Sequence, residues 1–88
     1  MNMNHKTIRL SNDDLLMGFK KNDEIVVSLT DSPAPGSLVV LQMNDMYSVA
    51  RYENIDNNQY LWPPVGVETS RYREIILGQA LELIRNLD

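Results

Sequence analysis

No cysteine occurs among the 88 residues, and histidine and tryptophan occur once each. Without cysteine there is neither a disulfide nor a thiolate metal site. A lone His5 makes a poor metal centre and a poor general base, so the expectation there is an exposed side chain. No apolar run reaches signal-peptide or membrane length, which predicts a cytoplasmic protein that does not enter a membrane. Positive charge is scarce and scattered: eight Lys and Arg stand against twelve Asp and Glu, a net charge of −4. Phosphate binding needs clustered positive charge, so direct sequence-specific nucleic-acid binding is not expected. There is neither a glycine-rich phosphate loop nor a G-x-S-x-G elbow. No cofactor and no metal ligand set is expected.

What is present is a series of short strand-like runs divided by Asn, Asp, Gly and Pro. "HKTIRL" (residues 5–10) alternates weakly and reads as a strand. In "SNDDLLMGF", Ser11 or Asp13 can cap a short helical turn that Gly18 would end. Asp13 and Asp14 are neighbours whose side chains point apart, so capping is a better role for them than an acid–base pair. "NDEIVVSLT" reads as a strand after a tight turn at Asn22–Asp23. "DSPAPG" (31–36) is a loop, because its two prolines and glycine do not suit a regular ladder. The continuous apolar centre of "SLVVLQM" predicts a strand buried on both faces. Asn44–Asp45 is a hairpin turn into "MYSVARYE", "NIDNN" is another turn, and Pro63 and Pro64 stop the strand "QYLWPP". These segments predict a single domain over residues 1–88, mainly β, of antiparallel hairpins with one short helical turn.

Two features invite a functional reading. Tyr52, Tyr60 and Trp62 are either core residues or interface anchors. "RYR" (71–73) pairs arginines with an aromatic, but Glu68 and Glu74 flank it and a solvated face is the better reading. The C-terminal "REIILGQALELIRNLD" is ambiguous. Ile76, Leu77, Ala80, Leu81, Ile84 and Leu87 fall on one helical face, and periodicity favours a helix. The alternative is a strand bent at Gly78.

The order of segments resembles the C-terminal domain of LexA and UmuD proteins, the self-cleaving serine–lysine peptidases of the bacterial DNA-damage response. Those domains carry G-D-S-M, then D-G-D-x-x-x-V, a loop ending in G-D, a V-K-R or V-K-K strand, and a hydrophobic C-terminal strand. Here "NDDL" (12–15), "KNDEIVV" (21–27), "PGSLVVLQMNDMYSVARY" (35–52) and "ILGQALELIRNL" (76–87) stand in those places. Asp14 occupies the position of the nucleophilic serine and Ala50 that of the lysine base. Aspartate has no hydroxyl and alanine accepts no proton, so the resemblance implies a domain without the family's self-cleavage, not an enzyme. The cleavable Ala-Gly or Cys-Gly bond and the DNA-binding helix-turn-helix are also not expected in this chain.

The resemblance implies dimerisation through the last strand, which replaces the helix over Ile75–Leu87 by a strand. The interface it implies comprises Ile76, Gly78, Gln79, Ala80, Leu81, Glu82, Leu83, Ile84 and Arg85. Among small members of the family the chain is most similar to damage-regulated corepressors. The expected partner is therefore a LexA/UmuD-type repressor, bound through its C-terminal domain. The alternative is a UmuD-like accessory subunit of a translesion DNA polymerase.

Overall fold

Alternating apolar and polar residues build most of the molecule. A computed structural model describes residues 4–85. Six strands are formed: β1 (His5–Arg9), β2 (Glu24–Leu29), β3 (Leu38–Met43), β4 (Met46–Ile55), β5 (Asn58–Trp62) and β6 (Ile76–Ile84). They make one antiparallel sheet in the order β1-β2-β6-β3-β4-β5. The mainly β architecture expected from the sequence is the one observed.

The turns explain the hairpins. Asn44 and Asp45 have φ of 51° and 64°, and Asp56 and Asn57 have 52° and 67°. Two consecutive left-handed residues match the twist of the strands they join, and Asn and Asp tolerate that conformation best after glycine. Successive residues of β3 point to opposite faces, and Val39, Val40 and Leu41 are all fully buried. Both faces are therefore covered. On one, Val39, Leu41, Ala50, Tyr52, Leu61 and Ile76 pack with Tyr72 and Ile75. These last two belong to α1 (Tyr72–Ile75), which follows a 3₁₀ turn over Thr69–Arg71. On the other face, Ile8, Leu10, Ile25, Val27, Val40 and Val49 pack with Phe19 from the β1–β2 connection.

That connection corrects one expectation. Residues 11–18 form no helical turn. Asp14 and Phe19 exchange backbone hydrogen bonds of 2.8 Å in both directions, closing a tight β-type turn around Gly18, whose φ is 81°. Both carboxylates still accept backbone N–H groups, Asp14 from Met17 and Asp13 from Lys21. Asp side chains that bond nearby backbone groups offer the chain an alternative to the helix ladder, and here the alternative wins. Among the described residues the short helical segment is instead at Thr69–Ile75.

The C-terminal segment is a strand, and its helical look has a structural cause. Against β3, Val40 faces Gly78 and Leu41 faces Ile76, so Leu77 is an extra residue. Against β2, Val26 faces Glu82 and Val27 faces Ala80, so Leu81 is a second one. Each bulge resets the alternation. Leu87, included in the expected strand, lies outside the described residues.

Candidate functional site

β6 is an inner strand for only part of its length. Its first half is paired on both sides: Ile76, Gly78 and Gln79 face β3, while Gly78 and Gln79 also face Leu29 and Ser28 of β2. Ile76 and Gly78 are buried, and the Gln79 side chain accepts a hydrogen bond from the Ala34 N–H at 3.1 Å. These three of the implied interface residues sit within the sheet, with no backbone edge to offer. Beyond Gln79 the pairing with β3 stops, while pairing with β2 continues through Ile84. Among the described residues, Ala80 to Ile84 thus keep one ladder edge without a neighbouring strand.

This free edge is apolar. Leu81, Leu83 and Ile84 are 50%, 43% and 40% exposed. Leu83 lies across from Ile25. With Phe19, Ile25 and Leu38, the Ala80–Leu83 segment lines a shallow cleft of about 140 Å³. Sequence reasoning named the strand residues but missed Phe19 and Leu38. Their apolar character was visible, but their arrival beside Leu81 depends on the turn at Asp14–Phe19 and on β3 beginning at Leu38.

Arg85 closes the end of the edge. Its Nε donates to Asp23 Oδ1 at 3.0 Å, and its Nη2 donates to Asp23 Oδ2 at 2.8 Å and to the Gly18 carbonyl at 3.0 Å. Asp23 is only 2% exposed. The Arg85 hydrogen bonds, followed by the one from the Lys20 N–H, hold its carboxyl down at about 2, against an ordinary value of 3.8. The same contact raises the pKa of Arg85. Arg85 therefore anchors the β1–β2 turn, and Phe19 with it, to the end of β6.

The two positions matched to a catalytic pair do not meet in a common pocket. Ala50 lies across from Val39 and is buried in the cluster with Tyr52 and Tyr72. Asp14 is in the turn that delivers Phe19 to the cluster on the opposite face. Among the described residues no cluster of three or more His, Cys, Asp or Glu could hold a metal ion, and no buried side-chain nitrogen or oxygen lacks a partner. His5 is exposed on β1. The aromatic trio divides: Tyr52 is buried and donates its hydroxyl to Gln59, whereas Tyr60 and Trp62 are more than half exposed on β5. "RYR" divides too, with Tyr72 in the core and Arg71 and Arg73 exposed. Among the described residues no helix is long and apolar enough to cross a membrane.

The chain matches no family model and no curated protein.

Proposed function

We propose that the protein is a regulatory binding module, a corepressor of the DNA-damage response that acts by pairing with a LexA/UmuD-type repressor. One observation carries the reading. β6 runs on past β3 and leaves the backbone of Ala80–Ile84 open beside exposed Leu81 and Leu83. An open strand edge with apolar side chains is a template for strand addition, in which main-chain hydrogen bonds give affinity and side-chain contacts give selectivity. The motif order in the sequence supports a LexA/UmuD-like partner, since that family associates through its last strand. The Asp and Ala at the positions of serine and lysine support binding without self-cleavage. The site is cytoplasmic in this reading, and regulation of DNA is exerted through the partner.

The test is affinity capture with the full chain from damaged and undamaged cells, with identification by mass spectrometry. A LexA/UmuD-type repressor recovered by the intact chain and lost with Leu83→Asp is the expected result. Recovery of a translesion polymerase in its place would make the polymerase-accessory reading the right one. Capture that is indifferent to Leu83→Asp would overturn the β6 edge as the contact.

A further inference from the structure

Glu82 sits at the middle of the open segment of β6, between Leu81 and Leu83. It faces Val26 of β2 and is exposed. The cations nearby in the sheet are engaged elsewhere. Arg85 is held by Asp23 and the Gly18 carbonyl, and Arg9 pairs with Glu24 at 3.5 Å. Glu82 makes no ion pair among the described residues. The free edge thus presents Leu81 and Leu83 on the face of Ile25, and Ile84 with an uncompensated carboxylate on the other.

A second copy of the chain fits this edge poorly. Antiparallel pairing of two β6 strands over the whole open segment sets Ala80 against Ile84 and Leu81 against Leu83. It also sets Glu82 against its own twin. Directly opposed residues on one face have Cβ atoms only ~5 Å apart, and like charges there are destabilising. A slip of one residue would turn Glu82 toward the leucine face of the copy, because side chains alternate. A slip of two keeps the faces but shortens the paired segment.

We infer that Glu82 selects the partner: the β6 edge takes an antiparallel strand of another protein that carries Lys or Arg opposite Glu82, in preference to a second copy of this chain. The inference rests on the β6 edge being the contact surface, as in the function proposed above. It adds the charge the partner strand must present. The leucines supply affinity to any apolar strand, and the carboxylate discriminates among them.

The chain alone provides the test. Wild type and a Glu82→Lys variant, distinguishable by isotope labelling, are mixed and followed by native mass spectrometry and analytical ultracentrifugation. The mixed dimer should form about fivefold or more tightly than either homodimer, and the preference should shrink in high salt. Glu82→Gln should self-associate more tightly than wild type. A statistical distribution of the two chains, or no association in any combination, overturns the inference. A mixed dimer that survives Leu83→Asp on both chains would show that contact is made elsewhere, and so would count against the proposed surface as well. Equal capture of the cellular repressor by wild type and Glu82→Lys would leave the corepressor reading intact and remove Glu82 as its selector.

Discussion

The Arg85 guanidinium engages both carboxylate oxygens of Asp23, bridging the residue that follows β6 to the residue that precedes β2. Arginine's planar fork suits this two-point contact and lysine's single ammonium does not. Asp23 titrates at about 2 in the folded chain and near its ordinary 3.8 when unfolded. A depressed carboxyl contributes stability that is complete above the unfolded pKa and is lost as pH falls through the folded one. The difference in unfolding midpoint between wild type and Asp23→Asn should therefore be full at neutral pH and narrow between about pH 4 and pH 2. Arg85→Lys should recover only part of what Arg85→Ala loses. Urea titrations across that pH range measure both effects.

Gly78 should tolerate no side chain. A Cβ there would collide with the Ser28 carbonyl oxygen and come within 2.7 Å of Val27 Cγ1. The backbone of β2 cannot yield without loosening its ladder with β6. Gly78→Ala should destabilise by at least ~1–3 kcal/mol, the usual penalty of overpacking a tight interior. Chemical denaturation gives the value. A neutral substitution would mean that β2 and β6 are not this close.

Truncating the core should cost more than altering the rim. Leu41 is fully buried between β4 and the Tyr72–Ile75 helix. Leu41→Ala removes a buried isobutyl group and should cost ~2–5 kcal/mol. Met46, half exposed at the β3–β4 turn, should accept Asp with a change within ~0.5 kcal/mol.

Partner binding should separate the β6 edge from the β3–β4 turn. Leu83→Asp would desolvate a carboxylate in the contact and weaken binding by roughly a hundredfold. Met46→Asp, at the start of β4, should change it by less than about threefold. Titration calorimetry with the captured partner distinguishes them.

Introducing a hydroxyl at position 14 and an amine at position 50 should not produce self-cleavage. Ala50 is 1% exposed among Val39, Tyr52 and Tyr72, and Asp14 lies in a turn serving the opposite face. Lys at position 50 would be forced into an apolar cluster, so the Asp14→Ser, Ala50→Lys chain should be less stable than wild type. Its intact mass should persist at alkaline pH. A specific internal cut would show that the two positions do come together.

Much of the fold was legible because it depends on short-range chemistry. Asn-Asp and Asp-Asn pairs marked the two left-handed turns, Pro63 marked the end of β5, and the unbroken apolar run marked β3 as covered on both faces. The C-terminal strand was not legible from periodicity. Its bulges at Leu77 and Leu81 double the apolar residues as Ile76–Leu77 and Ala80–Leu81, with Ile84 following, and this spacing imitates a helical face. A bulge is fixed by the neighbouring strands, so a single segment does not reveal it. The candidate site was half legible for a similar reason. Leu81 and Leu83 could be named, but the free edge exists because β3 begins only at Leu38, and the Asp23–Arg85 bridge joins residues that are distant in sequence.

The strand order also has a kinetic consequence. β2 and β3 share no ladder, and β6 lies between them. During synthesis the β1–β2 hairpin and the β3–β4–β5 meander emerge first, each with an open side and no ladder to the other. They remain two loose half-sheets until the ribosome delivers the last strand. Joining them needs contacts across most of the sequence, which slows closure and leaves apolar edges exposed meanwhile. A stop codon or protease cut before Ile76 would therefore leave the β1–β2 hairpin and the β3–β4–β5 meander on one chain with no strand to join them into a sheet, and a nascent chain awaiting this segment would be a target for chaperones.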